Sequence, residues 1–162
     1  TMVSLSYNLR AIEHCIGSKI MALISLVYVS FANGEVSEEE LKGILVKSRE
    51  NNQKRNVTGM LLYRGGFFIQ ALEGEEDDVN AIYDVIKRDD RHRSLLVVYK
   101  TTIKSRSFND WSMGFNVIDD ETLKSLDGFN DFLDKPLTVD FFNKNPDHAM
   151  TLLNNFRGGS TL

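Results

Sequence analysis

The chain has 162 residues, of which 42% are hydrophobic, a size that suits one domain with a single core and some additional packing elements. Its 19 basic and 23 acidic residues give a net charge of −4, which disfavours nucleic acid as a partner because nucleic-acid binding usually needs a basic surface. The single cysteine, Cys15, excludes an internal disulfide, and no apolar stretch approaches the roughly 20 residues of a membrane span, so we expect a cytoplasmic protein with no membrane contact.

The first 20 residues form a predicted N-terminal extension. Apolar residues recur there at helical spacing, at Leu5, Leu9, Ile12 and Ile16. This pattern predicts one short amphipathic helix, which would dock on the rest of the chain or pair with another subunit.

From residue 21 onward, strand and helix patterns alternate in a definite order. The predicted elements are a strand over Leu23–Ser30, a helix from the Ser37-x-x-Glu40 capping box to about Asn52, a hairpin of Val57–Tyr63 and Phe67–Gly74 around Gly65-Gly66, a helix from Glu75 to about Asp89, and strands over Leu95–Ile103 and Trp111–Ile118. The order βαββαββ predicts an α+β, ferredoxin-like sheet with two helices on one face.

The strand Phe67–Gly74 is apolar on both faces, so both faces of the sheet should be covered. The two central helices cover only one of them. Residues 119–162 are therefore predicted to form a C-terminal helical cap on the other face of the domain over residues 21–118. The positions that support this cap are Leu123, Leu126 and Phe129 at helical spacing, and a helix start at Asn145-Pro146-Asp147 that leads to Met150, Leu153 and Phe156.

Gln70 is the most informative single residue, because it lies in the middle of this otherwise apolar strand. A buried primary amide left without partners costs about 1–3 kcal/mol for each unpaired group. Gln70 therefore needs polar neighbours. Taken alone, Gln70 is explained by hydrogen bonds to nearby backbone or water, as is usual for a buried glutamine.

The buried stripe of the first helix changes from apolar to hydrogen-bonding residues towards its end. It begins with Leu41, Ile44 and Leu45 and continues with Ser48, Asn51 and Asn52. The second helix has an unbroken apolar stripe at Val79, Ile82, Tyr83 and Ile86. Ile44 facing Ile86, with amides at one end, predicts a slot for a flat ring with a heteroatom edge. The alternative is a helix that simply ends in Asn-Asn.

Six motifs together resemble the BLUF domain, the blue-light sensor using flavin. In chain order they are Leu26-Val27-Tyr28-Val29-Ser30, Ser48-x-x-Asn51-Asn52, Val57-Thr58-Gly59-Met60-Leu61-Leu62-Tyr63, Phe68-x-Gln70-x-Leu72-Glu73-Gly74, Asp89-x-Arg91-His92 and Trp111-Ser112-Met113. The resemblance runs from about Leu23 to Ile118. No single motif is strong, but six in order and at near-family spacing are highly specific.

The resemblance implies that a flavin lies between the two helices and that Tyr28 and Gln70 are its photoactive partners. FAD is the implied cofactor, with FMN or riboflavin as alternatives, and no metal site is expected. After blue light is absorbed, Tyr28 would supply an electron and a proton through Gln70, whose side chain ends rotated or tautomerised. The protein would set the hydrogen bonds and the cofactor the photochemistry, so a photoreceptor is implied and not an enzyme.

The resemblance also assigns supporting roles along the predicted slot. Ser48, Asn51 and Asn52 should bond the pyrimidine edge of the ring. Ile44 and Ile86 should sandwich the ring between them.

The sequence specifies the residues at the rim of the slot less strongly. Arg91 and His92 are expected near the polar edge or the ribityl chain, although a solvated loop after a helix explains them equally well. Many family members carry an Arg in the second helix that meets the flavin phosphate, and here that place is Val85. The phosphate anchor therefore stays open, with Lys87 or Arg88 as substitutes.

Trp111 and Met113 alternate on the last predicted strand. As in the family, they are expected to carry the signal by exchanging between facing the flavin site and facing away; the alternative is that both are ordinary core residues. The roughly 44 residues after Ile118 are too few for an enzyme domain. We therefore expect output through a homo-oligomer or a downstream protein partner.

Two other classes of function compete with this interpretation. A small ferredoxin-like enzyme of the acylphosphatase kind needs a glycine-rich anion loop after the first strand, but Phe31-Ala32-Asn33-Gly34-Glu35 offers one glycine and an acid. A ligand-sensing module without photochemistry would use the same slot. A yellow protein with a flavin spectrum would exclude the enzyme.

Overall fold

The structure is a computed structural model that describes residues 21–118, 121, 140, 144 and 146–155. The predicted N-terminal helix lies outside the described residues. So do Cys15 and five named positions of the predicted cap, Leu123, Leu126, Phe129, Asn145 and Phe156.

Five strands form one sheet with helices on both faces. In chain order the elements are β1 (Leu23–Ala32), α1 (Glu38–Lys54), β2 (Thr58–Arg64), β3 (Phe67–Glu75), α2 (Glu76–Lys87), β4 (His92–Thr102), β5 (Gly114–Val117) and α3 (Pro146–Asn155). The strand order is β4-β1-β3-β2-β5, with β5 parallel to β2 and the other neighbours antiparallel. The predicted α+β, ferredoxin-like class is confirmed.

Helix α1 begins where its capping box predicts. The Ser37 hydroxyl accepts from the Glu40 backbone N–H at 3.2 Å, and the Glu40 carboxylate accepts from the Ser37 N–H at 2.8 Å. Each of these bonds satisfies a backbone or side-chain group that the helix start would otherwise leave open. Three acidic residues in the first turn add a favourable interaction with the helix dipole.

The β2–β3 hairpin turns at Gly65 and Gly66, as predicted. Both have positive φ, 52° and 84°, a conformation that glycine adopts without a steric penalty and that fits the twist of two adjacent strands. The turn sets a register in which Leu61 lies opposite Gln70.

The sheet separates two apolar cores. On the side of α1 and α2, Tyr28, Leu61 and Leu72 pack with residues of both helices. On the opposite side, strand residues such as Met60 and Ile69 pack with three buried residues of α3, Ala149, Leu152 and Leu153. The described part of the C-terminal region thus covers the second face, as both apolar faces of β3 require.

The last strand is shorter than predicted: β5 covers Gly114–Val117, and Trp111 and Met113 precede it. The carbonyls of Ser112 and Met113 accept hydrogen bonds from side chains of α1 and not from a strand ladder. Strand β4 begins at His92, ahead of the predicted Leu95, and its pairing with β1 shifts register twice. Among the described residues, no helix is long and apolar enough to cross a membrane.

Candidate functional site

A cavity of about 470 Å³ opens between α1, α2 and the sheet. Its volume lies within the range of about 300–1,000 Å³ that is usual for small-molecule sites. Eight of the residues predicted to form the site line it: Tyr28, Ile44, Ser48, Asn51, Gln70, Ile86, Arg91 and His92. The slot expected between the two helices is present.

Tyr28 and Gln70 lie opposite each other in the β1–β3 ladder at the floor of the cavity. The Tyr28 hydroxyl donates a hydrogen bond to the Gln70 Oε1 atom, and each residue is only 3% exposed. Burial, followed by the proximity of Tyr83 and Asp89, raises the pKa of the Tyr28 phenol far above its ordinary value. The phenol is therefore neutral at any physiological pH, with its proton directed at the amide oxygen.

The other end of the Gln70 amide meets Met113. Its Nε2 atom donates to the Met113 Sδ atom at 3.4 Å, and Met113 is 1% exposed. A thioether sulfur accepts but cannot donate, so this contact fixes the orientation of the amide, with oxygen towards Tyr28 and nitrogen towards Met113. The side chains of Tyr28 and Met113 are thus the hydrogen-bonding neighbours that a buried Gln70 requires.

The rim of the cavity carries several charged residues from the loop after α2. Arg91 forms a bidentate ion pair with Asp89, with Nε to Oδ1 at 2.9 Å and Nη2 to Oδ2 at 2.5 Å. The hydrogen bonds from Arg91 hold the pKa of the Asp89 carboxyl below its usual value. The His92 Nε2–H donates to the Ile86 carbonyl at 2.7 Å, and its Nδ1 lies 3.1 Å from the Ser30 hydroxyl. His92 thereby connects β1 to the end of α2.

The two proposed substitutes for a phosphate anchor have different surroundings. Lys87 forms an ion pair with Asp84 at 2.6 Å, lies 5.2 Å from the centroid of the Tyr83 ring and does not line the cavity. Arg88 lines the cavity, as does Val85. Of the two cations, only Arg88 is in a position to meet a ligand there.

Three of the predicted site residues do not line the cavity: Asn52, Trp111 and Met113. Asn52 is 1% exposed, and its Nδ2–H donates to the Ser112 carbonyl at 2.6 Å. Trp111 packs against the core beside α3, whereas Met113 lies in the core beside α1 and α2. The two side chains therefore face opposite sides of the sheet, whereas residues two apart on the predicted strand would share a face, because the backbone before Gly114 is not a strand.

Sequence reasoning missed Arg49 and the loop between β1 and α1. Arg49 is half-buried on α1 and donates from Nε to the Met113 carbonyl at 3.0 Å. The residues of the β1–α1 loop that line the cavity are Asn33, Gly34, Glu35 and Val36. A signal for Arg49 exists in the sequence, since it precedes Asn52 by three residues and so shares its helix face.

The side chains that line the cavity fit a flavin ring. Ile44 on α1 and Ile86 on α2 offer apolar walls, and Ser48, Asn51 and Gln70 offer hydroxyl and amide groups. A flat ring with two apolar faces and one edge of nitrogen and oxygen atoms needs this combination of partners.

The BLUF family, described as sensors of blue-light using FAD, matches residues 23–114. The photoactivated adenylate cyclase subunit alpha of Euglena gracilis is 36% identical over 86 residues, which are 53% of this chain and 8% of that protein. The matched region spans about a tenth of the length of the photoactivated adenylate cyclase subunits of Euglena.

Two solved structures extend the similarity to the fold. The photo-activated state of BlsA has a TM-score of 0.66 at 26% identity, covering 82% of this chain and 94% of that one. The dark state of BlrB, a BLUF protein, has a TM-score of 0.60 at 28% identity, covering 81% and 98%. The chain therefore belongs to the BLUF family of flavin-binding blue-light sensors.

Proposed function

We propose that this chain is a blue-light photoreceptor whose switch is the hydrogen-bonded pair of Tyr28 and Gln70. The observation that carries the proposal is the orientation of the Gln70 amide, which accepts from Tyr28 and donates to Met113 at the floor of the cavity. The flavin, when bound, supplies the absorption of blue light and an acceptor for one electron.

Tyr28 acts as the donor of that electron and of its phenolic proton. Its hydroxyl already points at Gln70 Oε1, so the proton leaves along an existing hydrogen bond. The buried site stabilises the neutral phenol over the phenolate. Loss of the electron and loss of the proton are therefore coupled.

Gln70 relays the proton and then stores the result as a changed orientation or tautomer. A rotated amide would present its nitrogen to Tyr28 and its oxygen to Met113. Two acceptors, the amide oxygen and the thioether sulfur, would then face each other. The rotated state must form new bonds elsewhere in the site, which gives two distinct hydrogen-bond arrangements.

The remaining roles follow from the positions of the side chains around the cavity. Ile44 and Ile86 sandwich the ring, and Ser48 and Asn51 bond its pyrimidine edge. Asn52, predicted for the same edge, does not line the cavity and donates to the Ser112 carbonyl, so in this proposal it holds the backbone before Met113 and not the ring.

FAD is the proposed cofactor, and FMN or riboflavin would occupy the same slot. Arg88 and Lys47, two of the cations that line the cavity, support binding of a phosphate-bearing flavin. Arg91 and His92 lie near the polar edge or the ribityl chain in this proposal.

The BLUF domain itself is a sensor, so its output must pass to something else. We propose a downstream protein partner or a homo-oligomer, in the cytoplasm, with Trp111 and Met113 as the signalling residues. Met113 contacts Gln70, and β5 follows it directly and leads to Ile118, which is buried in the same core as α3.

The deciding experiment is the absorption spectrum of the purified protein before and after blue light. We expect a yellow protein with a flavin spectrum that shifts to longer wavelength and recovers in the dark. A flavin spectrum that light does not shift would favour a ligand-sensing module without photochemistry. A colourless protein that cannot be loaded with flavin would overturn the proposal.

A further inference from the structure

Three consecutive backbone carbonyls before β5 are held by three different donors. The Gly59 N–H donates to the Trp111 carbonyl at 3.1 Å, Asn52 Nδ2 to Ser112 at 2.6 Å and Arg49 Nε to Met113 at 3.0 Å. Two of these donors are side chains of α1. The backbone over residues 111–113, here called the 111–113 segment, is thus fixed by a helix on which the cavity is also built.

Arg49 and Asn52 are three residues apart and share one face of α1. Asn52 is 1% exposed and Arg49 is half-buried. Neither residue lines the cavity, whereas Ile44, Ser48 and Asn51 of the same helix do. The bond from Arg49 is charge-assisted and partly shielded from water, so it is among the stronger hydrogen bonds of the molecule.

The same residue that Arg49 holds by its carbonyl meets Gln70 by its side chain. Met113 Sδ accepts from Gln70 Nε2 at 3.4 Å. When the Gln70 amide changes orientation, this bond is lost, and the Met113 side chain must move away. As long as Arg49 and Asn52 hold the backbone, the 111–113 segment cannot follow that movement.

We propose that Arg49 is a positioning residue that latches the 111–113 segment to α1 and so stabilises the dark arrangement of the switch. The inference rests on the proposed role of Gln70. The latch makes the signal conditional, because the state of Gln70 reaches β5 only when the bond between Arg49 and Met113 yields.

The test compares Arg49→Ala with Lys42→Ala, which removes an exposed cation of the same helix whose ion pair with Glu38 is far from the latch. Two quantities are measured on the full chain: hydrogen exchange of residues 111–118 in the dark, and the rate of dark recovery after a light pulse. For Arg49→Ala we expect exchange at least about fivefold faster, because the segment loses the charge-assisted one of its three hydrogen bonds and opens more easily.

We also expect dark recovery about tenfold slower in Arg49→Ala, since the variant loses a charge-assisted hydrogen bond from the state to which it returns. Flavin content and the dark spectrum should equal those of the unmodified chain. Arg49→Lys, which retains one charged donor, should restore part of both effects, and Lys42→Ala should change neither. If Arg49→Ala does not fold, Arg49→Gln removes the charge while retaining a polar side chain of moderate length.

Unchanged exchange of residues 111–118 in both the Ala and the Gln variant would overturn the latch, whatever the photochemistry shows. Faster exchange with unchanged recovery would overturn its link to the switch. An unmodified chain that binds flavin without a light-induced shift would bring down the proposed function alone, because the exchange comparison in the dark still decides whether Arg49 holds the segment.

Discussion

An amide in a strand core is stable only where its neighbours match both of its ends, and at Gln70 they do. Tyr28 donates to the oxygen and Met113 accepts from the nitrogen. The arrangement is directional, because a phenol can donate and a thioether cannot. A single rotation of the Gln70 side chain therefore changes two contacts, the one with Tyr28 and the one with Met113.

Replacing Gln70 with Leu should abolish the light-induced red shift while flavin stays bound. The substitution introduces an apolar side chain of similar size and removes the relay between Tyr28 and the cavity. It also leaves the Tyr28 hydroxyl without its acceptor, which should cost about 1–3 kcal/mol of folding free energy. Light-minus-dark absorption and chemical denaturation measure the two effects. Gln53→Leu, at an exposed position of α1, is the control, and its absorption spectrum should shift normally in the light. A normal photocycle in Gln70→Leu would refute the proposed switch.

Replacing Tyr28 with Phe should leave flavin bound and increase its fluorescence, because the excited flavin loses its electron donor. Tyr99→Phe, on the other core of the sheet, is the matched control and should fluoresce like the unmodified chain. Transient absorption provides the decisive measurement. If the same red-shifted product still forms, the donor is another residue, such as Trp111 or Tyr83, whose ring centroid lies 5.4 Å from that of Tyr28.

At the scale of elements, α1 connects the cavity to the 111–113 segment. One face of the helix presents Ile44 and Ser48 to the ligand space, and another face holds the segment through Arg49 and Asn52. Strand β2 completes this connection, since the Gly59 N–H holds the Trp111 carbonyl. The helix that lines the cavity is thus also the helix that restrains the 111–113 segment.

Gly59 is a close point of contact between β2 and its surroundings, and Gly59→Ala should be strongly destabilising. A Cβ atom there would lie 2.1 Å from the Ala71 carbonyl oxygen and 3.2 Å from Met113 Cε, so two central strands would have to separate. We expect a loss of about 3 kcal/mol or more, at the upper end of the overpacking range. Gly43→Ala is the control: its Cβ meets nothing within 4 Å, and on a helix it should stabilise by about 0.5–1 kcal/mol. Equal unfolding temperatures for the two variants would contradict this account.

The elements that were predicted correctly are those specified by local chemistry. The capping box at Ser37 and the Gly65-Gly66 turn fix their neighbours within a few residues, and the alternation of strand and helix patterns fixes the ferredoxin-like order. The end of the sheet was not predictable in the same way. The sequence predicts a strand through Trp111 and Met113, but their segment is held by side chains of α1, a contact between residues about 60 positions apart, and the two side chains face opposite cores.

The residues of the candidate site fall into the same two groups, those that local sequence patterns specify and those that depend on long-range contacts. Ile44 and Ile86 follow from helix periodicity, Gln70 from its place in an apolar strand, and Tyr28 from the resemblance to the BLUF domain; all four line one cavity. The buried bond from Asn52 to Ser112 could not be read from the sequence, because an asparagine at a helix end is ambiguous between a ligand contact, a cap and a backbone anchor. Ser94 has a positive φ of 54° near the early start of β4, and a serine in that conformation gives no sequence signal.

At the scale of the whole molecule, the sheet separates the photoactive side from the side that carries α3. The helix-side core contains Tyr28 and Met113, and the opposite core contains Leu152 and Leu153. Trp111 packs into the opposite core only two residues before Met113. A change at Met113 therefore has a short covalent route to the face covered by α3, which is the physical basis for coupling between the two sides.

Illumination should change either the association state of the protein or the hydrogen exchange of α3, and Met113→Ala should weaken that response more than it alters the flavin spectrum. Met113 contacts Gln70 but does not line the cavity, and a flexible thioether can repack between two arrangements. Because truncation of a buried Met costs about 2–5 kcal/mol, Met113→Leu serves as a second variant that keeps volume and removes the sulfur acceptor. Met21→Ala, at a position 63% exposed, is the control and should respond like the unmodified chain.

Small-angle scattering and hydrogen exchange, each in dark and light, measure this response. If the signal travels through the fold, either the exchange protection of residues 146–155 or the particle size must differ between dark and light. That difference must also be smaller in both Met113 variants. Identical size and identical protection in dark and light would remove that route. The remaining way to transmit the signal would then be a partner protein that reads the surface beside the cavity directly, where the β1–α1 loop and the loop after α2 form the rim.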